Sequence, residues 1–455
     1  MLIKNYDIII PYIVMSFRKK STYEQHDNEI ASFYKDSVKA FNSNDFLENN
    51  IEVDICIIGG GLTGISSALH LAKKGFSVAI CEARLIGWGA SGRNGGQLGI
   101  GMRKDQHTIE KKLGKNHAKD LWTMGLESVS EVKKLINENN IDCNLVNGIM
   151  TTACFSKDID EFNFEIEYMS KNYNFNGYKF FNNSEIKKEI KSDTYLAGLL
   201  NTYSYHLNPL KLTIGLARLL LKYNVKIFED TPVKKIFENK DSIEIYTNNG
   251  NIKSNKVIVA CNGYLDNLLG SRRNKFMPIN NYIIATEPLG EEKARQIIRN
   301  NYAVCDTRFM LDYYRFSEDW RLIFGGGETV TSKFVKDSSA LTFVRNRMLK
   351  VFPDLEKYKI DYSWGGTLAI TVNRLPHFGT LMNNKLLYAF GYSGHGLALS
   401  VLAGKLIAEN INGEEDRFKF FADINHMSIP FGNLLRRPIY SSAVLYYRFR
   451  DYLNS

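Results

Sequence analysis

Residues 53–97 read VDICIIGGGLTGISSALHLAKKGFSVAICEARLIGWGASGRNGGQ, and the order of the parts decides the fold. An apolar run at 53–58 leads into Gly59-Gly60-Gly61-Leu62-Thr63-Gly64. An amphipathic helix is expected to follow as far as Lys74 and to stop at Gly75. A second apolar run at 78–81 ends in an acid, Glu82. Gly59 permits a tight turn, Gly61 lets a pyrophosphate approach the backbone, and Gly64 lets the helix pack closely on the strand. The helix N-terminus offers unpaired N–H groups and partial positive charge to phosphates. Glu82 stands about 20 residues on, where a carboxylate accepts ribose hydroxyls. Glycines alone would suit any α/β crossover. Strand, glycines, helix, strand and acid in this order indicate a dinucleotide site.

A second glycine-rich stretch follows at once, Gly87-Trp88-Gly89-Ala90-Ser91-Gly92-Arg93-Asn94-Gly95-Gly96-Gln97. Its backbone is free to lie flat against a planar ring. Ser91 can bond a phosphate or a ribityl chain, and Arg93 can offset phosphate charge. A third signal is Gly391-Tyr392-Ser393-Gly394-His395-Gly396-Leu397, between an apolar strand and an apolar helix. A helix beginning near Gly396 would aim its positive end into a cleft and favour negative charge on a reduced cofactor. His395 could meet that cofactor or the substrate, or be a structural histidine in a turn. Trp364-Gly365-Gly366 and Asn373-Arg374-Leu375-Pro376 form a fourth signal. Arg374 suits a carboxylate in the cleft, with a surface salt bridge as the alternative. Tyr313 and Tyr314 suit the wall of a substrate pocket, or a core.

The 455 residues carry a net charge of +9, but lysines and arginines are scattered and no nucleic-acid module appears. Six cysteines without a CxxC pair read as buried thiols in a reducing, cytoplasmic compartment. There is no HExxH for a metal and no GxSxG elbow for a hydrolase. The apolar stretch at 6–17 is too short to span a bilayer and holds Pro11. It reads as an unimportant leader, with an interfacial anchor as the alternative and Met15 as a possible start.

Periodicity gives the rest. Helices are expected near 30–41, at 116–139, 158–172, 184–190 with Ser184 as cap, 209–223, 338–352 and 396–410. Strands are expected at 149–155, 225–228, 232–237, 242–247, 252–254, 256–260, 279–287, 310–316, 321–325 and 386–390, with Asn249-Gly250 turning a hairpin. The fold class expected is α/β: a Rossmann-like domain interleaved with an α+β domain built on an antiparallel sheet. The first takes residues 51–104, 201–274 and 365–415, the second 105–200 and 275–364. Residues 1–50 form an arm and 416–455 a helical tail, with a cleft between the two domains.

These strings, with LDYYRFSEDWRLIFGGG at 311–327, DYSWGGTLAITVNRLPHFG at 361–379 and YSGHGLALSVLAGKLIAE at 392–409, carry a resemblance. The chain resembles the FAD-dependent amine and amino-acid oxidases of the D-amino-acid oxidase type, and within them the bacterial gamma-glutamylputrescine oxidases, from about residue 30 onward. That resemblance implies non-covalent FAD, since Ser363 and no cysteine stands where sarcosine oxidases attach flavin. It implies cofactor contacts from Gly59, Gly61, Leu62, Thr63, Gly64, Glu82, Ala83, Arg84, Gly89, Ala90, Ser91, Arg93, Asn94, Gly95, Gly96, Gln97, Val233, Gly263, Gly394, His395, Gly396 and Leu397. Tyr313, Tyr314, Trp364 and Arg374 are expected at the substrate, with His395 and Tyr314 as catalytic candidates and no firm base. The activity implied is oxidative deamination of a small-molecule amine, with molecular oxygen giving hydrogen peroxide. A dehydrogenase using a quinone or protein acceptor is one alternative. A non-enzymatic flavin protein acting through the basic, aromatic stretch at 434–453 is another. No nucleic acid is expected as partner, and oligomeric state is left open.

Overall fold

The structure, a computed structural model, describes residues 32–41, 43, 45–329, 338–429, 438 and 442. The leader at 6–17 lies outside them, and so does nearly all of the 434–453 stretch.

The first sheet has eight strands. Its central path is His377–Leu381, Leu386–Phe390, Asn251–Val259, Ile51–Ile58, Val78–Cys81 and Lys226–Phe228. All neighbours on this path are parallel except the first pair. Parallel strands need apolar cover on both faces, and the sequence supplies it. Ile55 and Ile57 pack into one apolar cluster, with the helices Leu62–Lys73, Pro209–Leu220 and Gly396–Ile411. Cys56 and Ile58 point to the other face, into a second cluster. Lys235–Glu238 and Ile243–Tyr246 form an antiparallel ribbon that pairs onto Asn251–Val259.

Chain order explains where a ligand goes. The glycine turn leaves the end of Ile51–Ile58, which has Val78–Cys81 on one side and Asn251–Val259 on the other. Sheets of this kind bind ligands at such a reversal, outside the carboxyl ends of the strands.

The second sheet has nine strands. Its path is Ile360–Thr371, Phe276–Thr286, Leu322–Thr329, Tyr313–Phe316, Ala303–Asp306, Val146–Ala153, Ala197–His206 and Gln97–Leu98, with Tyr178–Phe181 also on Ala197–His206. Pairing is antiparallel save between Ala303–Asp306 and Val146–Ala153. Short connections join the two sheets. Gln97–Leu98, directly after the glycine-rich stretch, pairs in the second sheet. Ile360–Thr371 lies in the second sheet, yet Ile370 bridges Tyr392 of the first sheet's last strand-to-helix turn.

Four details differ from expectation. The segments 252–254 and 256–260 are one strand, because Asn251–Val259 bonds the ribbon with its first half and Leu386–Phe390 with its second. The cap at the 184–190 segment is Asn182, whose side chain accepts from Glu185 N at 3.1 Å while Glu185 Oε2 accepts from Asn182 N at 2.9 Å. The stretch at 30–41 contains one helical turn, Phe33–Asp36, among its described residues. The strands at 197–206 and 360–371 carry polar residues and paired glycines, and neither alternates as a strand should.

Candidate active site

Gly59 has φ of +113°, a conformation for glycine, and a Cβ there would stand 2.9 Å from the Ala260 carbonyl oxygen. Gly64 fits the helix against the turn so closely that a Cβ would lie 2.0 Å from Gly59 O. Gly61 is the N-cap of Leu62–Lys73 and brings no side-chain cap; Leu62 N donates to Ser91 Oγ at 2.9 Å. His395 stands in the same position for Gly396–Ile411, again without a side-chain cap. These two helices lock together. Thr63 Oγ1 bonds Tyr392 OH at 2.7 Å, and Ser66 Oγ donates to Val401 O at 2.6 Å. Both N-termini therefore open on one side of the sheet, where anions are favoured.

A cavity of ≈ 2300 Å³ follows the seam between the sheets. Ordinary small-molecule pockets hold about 300–1,000 Å³, so this one has room for a dinucleotide and a substrate together. Gly59, Gly61, Leu62, Thr63, Glu82, Ala83, Gly89, Ala90, Ser91, Arg93, Asn94, Gly95, Gln97, Val233, Gly394, His395, Gly396 and Leu397 all line it. Gly64, Arg84, Gly96 and Gly263 do not. Gly64 acts through packing, and the Arg84 guanidinium lies 6.0 Å over the Trp88 ring. Gly96 is pressed between Leu207 and Arg315. Gly263 sits behind Asn262 and Tyr264, which do line the cavity.

The Glu82 carboxylate is held by backbone N–H groups, Gly60 at 2.6 Å and Arg84 at 2.9 Å. Burial pushes its pKa up, and those two donors oppose the rise. The glycine-rich stretch is fixed from behind. The Asn94 side chain donates to the Ala90 and Ser91 carbonyls at 3.0 and 3.1 Å and accepts from Gly96 N at 2.8 Å. Buried Arg93 donates to Gly365 O at 3.3 Å, and its guanidinium lies 4.2 Å from the centre of the Trp88 ring. Arg315, 1% exposed, donates to Gly95 O at 2.9 Å and to Tyr34 OH at 3.0 Å. The arm at Phe33–Asp36 thus braces the stretch through one buried guanidinium.

The expected substrate residues divide. Tyr313 and Arg374 line the cavity. The Tyr313 ring lies against Gly95 and Gly325, and its hydroxyl bonds the Asn281 side chain. Tyr314 faces the opposite side of the sheet: its ring stacks on Phe324 at 5.4 Å and its hydroxyl bonds Tyr195 OH at 3.1 Å. Strand alternation sends neighbouring tyrosines to opposite faces, so Tyr314 leaves the roles expected for it. Trp364 is also buried away from the cavity, and its Nε1 donates to Arg93 O at 3.1 Å. It supports the glycine-rich stretch instead of touching a substrate.

His395 Nε2 lies 3.0 Å from the Ile100 carbonyl, so it carries the proton there. Burial, with the nearby Arg103 charge, lowers the ring's pKa to about 4. The imidazole is neutral near pH 7 and a weak base.

Several lining residues were not anticipated. Tyr264 OH accepts from Thr367 N at 3.0 Å, and its ring meets Trp88 edge-on at 5.4 Å. Asn262 has φ of +44°, and its side chain accepts from Gly391 N at 3.0 Å. Both adjoin Gly263, so its place at a strand end was a usable signal. Arg103, Glu165, Asn281 and Cys305 had none, since they converge only through the second sheet.

Comparison with known proteins agrees with this geometry. The family described as FAD dependent oxidoreductase matches residues 54–410. The chain is 38% identical over 427 residues to gamma-glutamylputrescine oxidoreductase of Escherichia coli, covering 93% of this chain and 98% of that one. It is 37% identical over 438 residues to the probable oxidoreductase OrdL of Haemophilus influenzae, covering 94% and 98%. Among solved structures, glycine oxidase from Geobacillus kaustophilus superposes with a TM-score of 0.70 at 20% identity, over 83% of this chain and all of that one. L-proline dehydrogenase from P. horikoshii gives 0.67 at 24%, over 82% and 96%. Glycine turn, buried Glu82, paired helix N-termini and near full-length similarity converge: the chain belongs to the FAD-dependent oxidoreductase family of the D-amino-acid oxidase type.

Proposed function

We propose that this protein oxidatively deaminates gamma-glutamylputrescine or a closely related amine, giving an aldehyde, ammonia and hydrogen peroxide. The observation that carries the reading is one cavity joining the cradle at Gly59, Gly61 and Glu82 to charged side chains on residues 103–105, the helix Ser156–Tyr173 and residues 306–308. The near full-length likeness to the E. coli enzyme supports the substrate class.

The residues fit FAD. The N-terminus of Leu62–Lys73 would take the pyrophosphate, Glu82 the adenosine ribose, and Val233 the adenine. Residues 89–97 and 394–397 would take the ring system. No cysteine occurs in residues 360–371, which supports a non-covalent cofactor. Bound there, FAD would supply a two-electron acceptor for oxidation at the amine-bearing carbon, with dioxygen as the final oxidant.

The chain's own part is to bind, orient and exclude water. An amine must lose its proton to react, and an apolar setting favours the neutral form. Ile100, Ile149, Ile283, Leu199 and Tyr313 contribute that setting. The N-terminus of Gly396–Ile411 would stabilise negative charge gained on reduction. His395, neutral and tied to Ile100, positions the 394–397 turn against residues 99–100. Loss of the nitrogen proton and hydration of the resulting imine need no charged histidine. The described residues contain no helix long and apolar enough to cross a membrane. All six cysteines are free, in keeping with a cytoplasmic setting.

The test is a panel of primary and secondary amines with peroxide detection in air. Gamma-glutamylputrescine should give peroxide and aldehyde in equal amounts. Reaction without peroxide would move the acceptor to a quinone or a protein carrier. If no amine reacts, the reading is wrong.

A further inference from the structure

Arg315, on the strand Tyr313–Phe316, is a buried cation without a carboxylate. The residue is 1% exposed. Its Nε donates to Gly95 O at 2.9 Å, Nη1 to Phe316 O at 3.0 Å and Nη2 to Tyr34 OH at 3.0 Å. All three acceptors are neutral, since burial raises the Tyr34 hydroxyl and keeps it protonated. Among the described residues Arg315 forms no ion pair. Its neighbours behave otherwise: Arg308, Arg321 and Arg347 are all more exposed, and each pairs with a carboxylate. A buried charge is costly unless an opposite charge stands near it, so the exception calls for a reason.

The position of the guanidinium supplies one. A Cβ on Gly96 would stand 2.7 Å from Arg315 Nε, so the cation lies directly behind the Gly95-Gly96 backbone. Gly95 lines the cavity and Arg315 does not. One layer of backbone, bare of side chains, separates the charge from the space that would take the FAD ring system. This is the far end of the glycine-rich stretch from Ser91, which meets the N-terminus of Leu62–Lys73. A fixed cation at such short range acts strongly through a dry interior and needs no rearrangement when charge appears. Tyr34 fixes it from the other side, its ring 5.2 Å from Trp364 and edge-on to it. Tyr34 lies outside residues 54–410, the part matched by the family, so half of this arrangement comes from the N-terminal arm.

We propose that Arg315 places a fixed positive charge behind the flavin ring, favouring the reduced, anionic cofactor over the oxidised one, and that Tyr34 holds the guanidinium there. The inference rests on the placement of FAD given above and not on which amine is oxidised. Arg315 is a positioning residue, acting on the ring through the Gly95-Gly96 backbone.

The midpoint potential of the holoprotein, measured against a reference dye during photoreduction without any amine, tests it. Arg315→Gln removes the charge and keeps a donor for Gly95 O. Its potential should fall by at least about 30 mV, a tenfold loss in a two-electron equilibrium. Reduced FAD should then bind at least tenfold more weakly relative to oxidised FAD, by linkage. Arg315→Lys keeps the charge and should hold the potential within that tenfold. Tyr34→Phe leaves a guanidinium N–H unpaired; it should lower Tm and move the potential less than Arg315→Gln does. Photoreduced wild type should keep its flavin anionic below neutral pH, where reduced flavin free in water takes up a proton. This last measurement needs no variant to fold. A merely structural role would weaken oxidised and reduced FAD alike, and so would attraction to the pyrophosphate, whose charge does not change on reduction. An unmoved potential in Arg315→Gln, an equal fall in Arg315→Lys, or a neutral reduced flavin in wild type overturns this inference alone. Colourless protein that takes up no FAD overturns it together with the placement of the cofactor.

Discussion

A methyl group on Gly61 would stand 2.9 Å from Ser91 Oγ, inside the cradle, whereas one on Gly75 would meet nothing within 4 Å. The two glycines therefore separate ligand fit from backbone strain. Gly61→Ala should leave the fold intact and weaken FAD binding at least tenfold, read by titrating the apoprotein. Gly75 has φ of +90°, so Gly75→Ala should lower stability by about 1–2 kcal/mol and leave flavin content unchanged. Equal flavin loss in both would refute the cradle. At this scale the sequence was partly legible. Glycines announce themselves, because few other residues suit a cradle. Tyr313-Tyr314 does not, because two adjacent aromatics on a strand look alike until the sheet fixes which faces inward. Arg374 at φ of +64° illustrates the same limit: its place on the cavity wall depends on a turn that its own residue type disfavours.

Helices Leu62–Lys73 and Gly396–Ile411 touch backbone to backbone. A Cβ on Gly404 would lie 2.6 Å from Ser67 N and 2.7 Å from Thr63 O, neither of which can swing aside. Gly404→Ala should push the helices apart at about 1–3 kcal/mol, and it should also loosen FAD, since both N-termini would shift. Thermal denaturation with and without added FAD measures the two effects; a stability loss with unaltered affinity would show that the helix pair does not set the site. The strand–glycine–helix unit at 51–81 was legible because each part repeats a local rule. The strand Ile360–Thr371 was not. Gly365 and Gly366 interrupt its pattern, and what makes it a strand is an eleven-pair ladder with Phe276–Thr286, a partner more than 70 residues away. Residues 197–206 were missed for a similar reason: their polar end is held by Val146–Ala153 and Gln97–Leu98.

Across the whole molecule, burial of histidines sets the response to acid. Burial lowers His70, His395 and His426 to about 4, and His206 and His377 to about 3. Unfolded, each would take a proton near its ordinary value of 6.5. Between pH 6.5 and 4 the unfolded chain binds more protons, so these groups contribute stability that is present above 6.5 and lost as pH falls. Glu165, raised to about 7, and Asp306, raised to about 6, act in the opposite sense, since burial favours their protonated folded forms. Burial raises Glu82, Glu229 and Glu409 in that same sense, whereas Glu110 and Glu131 are lowered, so the five large histidine shifts decide the sign. The Tm of the holoprotein should therefore fall from pH 7 to pH 5, and a flat or rising profile would show that these rings are not buried neutral. The interleaving of the two sheets could be anticipated from the order of motifs. The joints between them, at Gln97–Leu98 and at the Ile370–Tyr392 bridge, depend on long-range pairing that local pattern does not encode.

The central claim is that FAD lies in the seam between the sheets and takes electrons from an amine bound beside it. Anaerobic titration of the purified protein with gamma-glutamylputrescine, followed by visible flavin absorption, tests it most directly. A yellow protein that bleaches in proportion to added amine and recovers its colour on admission of air is the result expected. Colourless protein that fails to take up added FAD, or a flavin that no amine bleaches, would contradict it.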